Sequence, residues 1–319
     1  MTKVTIAIPT YNREDYLRTC LQSILRQTFQ DFTIIIFDNH SNYDLENLVN
    51  QFHDTRITIC ASSKNVGQKN NFDRIYNHKF HSPYLIIFHD DDAMHPTLLS
   101  KQVALLDDDE GMVFVATGLQ TVRDGDLMNN FIKSGDKIIT CRDYRDFVRV
   151  ILRHFDLCFD SVMYRIDRIT FADITTYDHK FSKWSDRPYL IDIAKMGKVA
   201  VIDERLINYR IHSGQDSRQE RPDKFSYLIN LYNYYRECLP LPSSGYDKKL
   251  FYRWSTNNLI LAISWFSSNW REYFKLWRQC LAVDLFRIRY FNIRGLYYAI
   301  LVIKSFLNKR HENTRRNSY

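Results

Sequence analysis

Glycine is scarce in this chain of 319 residues, with only 9. That excludes a collagenous or flexible repeat, and no internal period points to a solenoid. The six cysteines, at 20, 60, 141, 158, 238 and 280, form no C-x-x-C pair. A zinc knuckle or a thioredoxin-type motif is therefore excluded. Cys20 and Cys60 fall in apolar patterns and read as small core residues, as suits a reducing cytoplasm. No apolar run reaches the length of a membrane span; the best, Gly295 to Ile303, is about half a bilayer's worth. Val4 to Ile8 is too short for a signal-peptide core and has no small-residue cleavage site after it. Neither G-x-G-x-x-G nor G-x-x-x-x-G-K-[ST] occurs. Bound phosphates would need a counter-charge other than a glycine-rich cradle.

What is present is a globular composition, 45% apolar, with a formal net charge of +7. Nucleic acid, an anionic membrane and an anionic substrate all fit that sign. The excess gathers late: from Ile293 to Tyr319 six Lys/Arg face one acid, Glu312.

The first part of the chain alternates apolar runs with amphipathic segments. Strands are expected at Val4–Ile8, Phe32–Phe37, Arg56–Cys60, Tyr84–Phe88 and Met112–Ala116. Between them, Leu17, Cys20, Leu21, Ile24 and Leu25 share one helix face, with Asn12 as the expected N-cap. Further helices are expected around Leu45–Phe52, Phe72–Tyr76 and from Pro96 onward. Wholly apolar strands separated by helices predict a parallel sheet covered on both faces, with ligands beyond the strands' carboxyl ends. Later, Gly118–Gly135 reads as a long loop and Asp143–His154 and Pro188–Met196 as helices. Val199–Ile202 and Leu206–Ile211 read as strands. From about Arg221 aromatic and basic residues dominate in helical patterns, broken at Pro240-Leu241-Pro242 and near Asn292. The reading is a catalytic region, residues 1–220, and a helical C-terminal region, residues 221–319.

Three places carry chemistry. Asp38 ends the second strand, where it either caps a turn or accepts hydrogen bonds from a ribose or base. His89-Asp90-Asp91-Asp92 follows the apolar strand Leu85–Phe88. Crowded carboxylates at a buried strand end repel, and a hard divalent cation relieves that; the bland alternative is a solvated acidic turn. A hydrolytic His/Asp metal site is a further alternative, though no H-E-x-x-H spacing is present. Asp186, just before Pro188, reads equally as a helix cap, and His212 as an ordinary histidine.

Together these segments resemble the family 2 glycosyltransferases of the GT-A fold over residues 3 to 218. Val4 to Arg13 is similar to the family's opening strand and nucleotide-binding loop. Phe37-Asp38-Asn39-His40-Ser41 is similar to the segment whose Asp contacts the nucleoside, and Asn65-Val66-Gly67 with Asn70 and Asn71 to the N-x-G segment near the donor. His89 to Asp92 resembles the D-x-D metal site, and Leu206 to His212 the late Y-R-x-H element. The resemblance implies a Rossmann-like nucleotide-sugar-binding sheet and donor contacts from Pro9, Thr10, Tyr11, Arg13, Asp38, Asn65, Gly67, Asn71, Asp90 and Asp91. It implies a divalent Mn²⁺ or Mg²⁺ held by Asp92 and His212, with Asp91 able to exchange roles, and Asp186 as catalytic base. Ser185 stands where the family often has Glu, so Asp173, Asp178 and Asp192 are alternative bases.

The implied reaction is inverting transfer from a nucleotide-diphosphate sugar to a glycan or lipid-linked glycan acceptor, as in cell-surface polysaccharide or glycolipid assembly. No nucleic acid partner is expected. The expected location is cytoplasmic, at the inner face of the plasma membrane if the stripe of Leu296, Ile300, Ile303, Phe306 and Leu307, ringed by Tyr297, Tyr298, Lys304, Lys309 and Arg310, meets anionic lipid. Two competing readings are a nucleotidyltransferase and a non-catalytic scaffold. The first usually has a Gly- and Arg/Lys-rich first loop, and Pro9 to Arg13 offers one base and no glycine.

Overall fold

The computed structural model describes residues 2–126, 128–132, 134–153, 158–171, 174–215, 225–239, 245–264, 266–267 and 269–316, with backbone alone at 174–175, 183 and 306–316. The Pro240-Leu241-Pro242 break, Asp173 and the side chains of Phe306, Leu307, Lys309 and Arg310 lie outside the described residues. Two compact units form. The first takes in 1–147, 155–179 and 183–220; the second takes in 148–154, 180–182 and 221–319.

The first unit is built on a sheet of nine strands. β1 (Val4–Thr10), β2 (Phe32–Asp38), β3 (Ile57–Ile59) and β4 (Tyr84–Ile87) form its parallel half. The side chains of β1, β2 and β4 are largely buried on both faces, which is why those strands read as apolar runs. The order is β3-β2-β1-β4-β8-β6-β9-β5, with β7 also paired to β9. Here β5 is Ala93–Met94, β6 Met112–Arg123, β7 Lys137–Cys141, β8 Val162–Arg165 and β9 Lys198–Ile211. The connections run outward from β1 to β2 and β3 and then return to β4, so the crevice between β1 and β4 is a topological switch point.

The expected all-parallel sheet is corrected to a mixed one. β8 runs antiparallel to both β4 and β6, and β5 and β7 antiparallel to β9. Val162–Arg165 is not among the expected strands, because four residues are too few to show a period. The loop expected over Gly118–Gly135 is also corrected, because β6 continues through Gly118 to Arg123. The two late strands expected around 199–211 are one, β9, paired with β6 along both halves. At Gly118 the two strands shift register, and a Cβ there would stand 2.9 Å from the Glu204 carbonyl oxygen.

The helices of this unit are α1 (Glu14–Leu25), α2 (Leu45–Asn50), α3 (Gln68–Tyr76), α4 (Leu98–Asp108), α5 (Tyr144–Leu152, shared with the second unit), α6 (Ile174–Phe181) and α7 (Asp186–Ile193). α1 buries Leu17, Cys20, Leu21 and Ile24 as its periodicity requires. Its cap differs from expectation. Arg13 holds the N-cap position, while Asn12 turns to φ 53° and its Oδ1 accepts from the Asn42 N–H at 2.8 Å. Asn12 thereby ties the β1–α1 loop to the β2–α2 loop. Cys60, expected in the core, is half-buried.

The second unit contains α8 (Phe225–Cys238), α9 (Gly245–Ser264), α10 (Trp270–Ala282) and α11 (Ile293–Arg316). α9 is its central helix, buried at Phe251, Tyr252, Leu259, Ile260 and Ile263. Arg149 reaches buried Asp247 with Nε at 2.8 Å and Nη2 at 2.9 Å. Gly295 lies so close to Asn257 and Phe291 that a Cβ would clash with both. Among the described residues no helix is long and apolar enough to cross a membrane.

Gly118→Ala forces backbone against backbone at the β6–β9 register shift. It is expected to lower unfolding free energy by about 1–3 kcal/mol, read as a lower urea midpoint at unchanged slope.

Candidate active site

The carboxyl ends of β1, β2 and β4 and the end of β9 bring their loops to one edge of the sheet. At its centre is the acidic run after β4. Asp90, Asp91 and Asp92 are all buried, and Asp92 completely so. Thr10, the last residue of β1, donates its hydroxyl to Asp90 Oδ2 at 2.7 Å. Arg13 Nη1 donates to Asp90 Oδ1 and to Asp91 Oδ2, both at 2.9 Å. His212 Nε2 lies 2.9 Å from Asp91 Oδ2 and, against a carboxylate, is the donor. Arg210 gives its backbone N–H to Asp92 Oδ1 at 2.7 Å and its Nε–H to the Asp91 carbonyl at 2.8 Å.

The structure thus brings His212 to Asp91. Asp92 lies behind, joined to β9 through Arg210. Tyr16 holds this corner: the Arg210 guanidinium lies 4.4 Å from its ring centroid, its ring is 4.8 Å from that of His212, and its hydroxyl donates to Asp124 Oδ2 at 2.9 Å.

Three neighbouring carboxyls in a dry site do not titrate alike. Burial raises Asp90 to about 6, helped by the charge of Asp91. Burial also pushes Asp91 upward, but the charges of His89 and Arg13 and the hydrogen bond from His212 outweigh it and hold Asp91 below the ordinary carboxylate value. Asp92 rises well above that value through burial and the nearby carboxylates of Asp160 and Asp91. Asp91 is therefore the most acidic member of the run.

Asp92 Oδ2 and both oxygens of fully buried Asp160 lack a hydrogen-bond donor. His89 Nδ1 lies 3.8 Å from Asp92 Oδ2, and the ligand atoms of His89, Asp92 and Asp160 lie within 4.8 Å of one another. Undonated buried carboxylate oxygens are the donor set a hard divalent cation takes, so these residues fit such an ion. Asp160 escapes sequence reading, because it sits in a short 3-10 turn, Phe159–Ser161, with no motif around it.

The neighbouring part of this edge is assembled from the β1 and β2 loops. Buried Asp38 accepts from the Ser41 hydroxyl at 2.6 Å and the Ser41 N–H at 3.2 Å, so its turn-capping role is formed. Asn71 donates to the Phe37 carbonyl at 2.9 Å, and Arg74 braces both the Asp38 carbonyl and Asn71 Oδ1. Asn65 accepts from Asn39 Nδ2 and from the Gly67 N–H. Gly67, at φ 83°, turns the chain into α3, a conformation that favours glycine. Pro9 is half-buried, and Tyr11 is exposed beside this loop pair.

Asp186 opens α7 and is half-buried, with Oδ1 accepting the Arg187 N–H at 2.9 Å. Burial raises its pKa against the opposing pull of Arg187, and it lies near enough to His89 for the two charges to interact. Of the alternative bases, Asp192 is held by the Tyr177 hydroxyl at 2.6 Å and by Lys195 at 2.5 Å.

A polar site at the switch point of an α/β sheet is where enzymes of this class bind ligands. Residues 5–165 match Glycosyl transferase family 2, and the chain belongs to that family; it is a glycosyltransferase. An uncharacterised glycosyltransferase of Methanocaldococcus jannaschii is 25% identical over 243 residues, 73% of this chain and 77% of that protein. The teichoic acid poly(glycerol phosphate) polymerase of Staphylococcus epidermidis is 26% identical over 116 residues, 35% of this chain and 16% of that protein. Among solved structures, S. aureus TarS 1-349 in complex with UDP-GlcNAc superposes with a TM-score of 0.56 at 13% identity, covering 99% of this chain and 92% of that one. That likeness shows the fold, GT-A.

Replacing Asp160 by Asn gives Asp92 Oδ2 an amide donor and removes one of two crowded buried carboxyls. Asp160→Asn is expected to raise stability in the presence of chelator by about 1–3 kcal/mol, measured by urea unfolding at neutral pH. An unchanged midpoint would show that the pair is already neutralised.

Proposed function

We propose that the chain transfers a sugar, of hexosyl type, from a nucleoside diphosphate sugar to an acceptor hydroxyl with inversion, in cell-surface polysaccharide or glycolipid assembly. The observation that carries this is the acidic run at the switch point, gripped by Thr10, Arg13 and His212, with buried carboxylate oxygens without donors. The UDP-GlcNAc complex of the TarS neighbour and the name of the Staphylococcus epidermidis relative support a nucleotide-sugar donor and a cell-wall type of product.

Asp38 and the Asn65–Asn71 segment face the nucleoside, and Thr10 and Arg13 the diphosphate. Asp92 with its free oxygen and its neighbours Asp160 and His89, with Asp91 and His212 adjoining, are the residues that would hold Mn²⁺ or Mg²⁺. When bound, such an ion supplies Lewis-acid stabilisation of negative charge on the diphosphate. Asp186 takes the acceptor's proton as its oxygen attacks the anomeric carbon and the bond to the diphosphate breaks. It is separate from the carboxylates of the acidic run, and burial keeps it more basic than a solvated carboxylate. No covalent intermediate on the enzyme is required. A lipid-linked acceptor would place the reaction at the cytoplasmic surface of an anionic membrane.

Asp186→Asn is expected to cut turnover by about 10²–10⁴-fold with donor affinity nearly unchanged. Turnover within about tenfold of wild type would move the role to Asp178 or Asp192. Asp186 works only when ionised and its pKa is raised, so turnover should be flat at higher pH and fall as pH drops through that raised value. The Asn variant should lose this acid limb.

Removal of divalent metal by chelator should abolish transfer, with Mn²⁺ or Mg²⁺ restoring it, and Asp92→Ala should prevent the recovery. Full activity of that variant in chelator would overturn the metal reading.

A further inference from the structure

We propose that a pocket between α9 and the start of α11 binds the phosphate of an anionic lipid and seats the second unit on a membrane. This rests on the membrane-surface reading above and names the surface and the ligand.

The pocket holds about 340 Å³ and lies wholly within the second unit. Arg153, Arg253 and Arg294 line it together with Trp254, Asn257 and Ile293, and among the described residues no carboxylate does. Two other arginines packed on α9 are matched: Arg149 has Asp247, and Arg287 has Asp284. Among the described residues Arg253 and Arg294 have no carboxylate partner, and Arg153 donates only to the neutral phenol of Tyr246. Three guanidinium groups around one cavity repel one another until an anion enters, and a tetrahedral phosphate accepts the paired N–H donors that a guanidinium offers. The N-terminus of α11 adds positive potential, although Asn292 Oδ1 already accepts from the Arg294 and Gly295 N–H groups.

The neighbouring surface gives the phosphate its lipid character. Ile293 lines the pocket and is 85% exposed. It begins a stripe along α11 that continues through exposed Leu296, Tyr297, Ile300 and Ile303. Buried Val302 and Gly295 occupy the opposite side. α10 also exposes Trp270 and Phe274. Residues 270–319 hold eleven Lys/Arg and three acids, a net of +8, so the other residues sum to −1 against the chain's +7. An apolar helix face set in a basic surface matches an anionic interface. Two copies of such a surface would repel each other.

The test uses the full chain in flotation with phosphatidylcholine vesicles, with and without phosphatidylglycerol. Arg253→Gln with Arg294→Gln is compared with Arg271→Gln with Lys275→Gln, which removes equal charge from α10 outside the pocket. Binding is expected only to the anionic vesicles. Two basic residues near the surface, at about 1 kcal/mol each, predict a loss of about thirtyfold for the control pair. The pocket pair should lose at least about tenfold more, because it also loses hydrogen bonds to the phosphate. Equal losses would overturn the pocket and leave the membrane reading standing. No vesicle binding by a chain that still turns over nucleotide sugar would overturn both while sparing the transferase reading. Calorimetry with short-chain phosphatidic acid and with inorganic phosphate separates the sources: tighter lipid binding supports the proposal, and equal affinity assigns a free-phosphate site and overturns it. Dimerisation in sedimentation that is abolished by Leu296→Ser with Ile300→Ser would give the face to a second copy and also overturn it.

Discussion

Like charge crowded at the dry end of β4 is the constraint to which the catalytic unit answers. Asp90, Asp91 and Asp92 are buried within one turn of chain, with Asp160 beside them. Removing such groups from water costs several kcal/mol each unless they are paired, protonated or bound to a cation. The surrounding chain supplies each remedy in part. β1 delivers Thr10 and Arg13, and β9 delivers Arg210 and His212. Asp90 and Asp92 are held above the ordinary carboxylate value and Asp91 below it. The loops are placed where they are because the acids require their donors.

Much of this was legible in the sequence, for a physical reason. Strands buried on both faces must be apolar at every position, so β1, β2 and β4 declare themselves, and the acids after β4 stand out against that background. Asp38 at the end of β2 is legible in the same way. β8 was not legible at all, since Val162-Met163-Tyr164-Arg165 is too short to show a period. Nor was the continuity of β6 through Gly118, because glycine and the polar residues after it look like a loop until β9 is seen to pair with them. Asp160 has no signature at all; it matters through a neighbour 68 positions earlier in the chain.

The second unit shows the same division. Its helices follow from their periodicity, and the basic, aromatic composition after residue 221 marks the change of character. The arginine-lined pocket does not appear in any local window, because its walls come from 152–153, 250–257 and 292–294. Only packing around α9 shows which arginines have a carboxylate and which do not.

β9 has a bearing on how relatives of this chain can vary in length. It is one strand of 14 residues whose first half pairs with β7 and whose second half leads to Arg210 and His212. Losing a single residue between Asp203 and Arg205 would turn every later side chain of the strand to the opposite face, sending the imidazole away from Asp91. Length changes are therefore not tolerable within β9. Along β9 the chain behaves as a ruler, and its divisions cannot be redrawn without losing the site at its end.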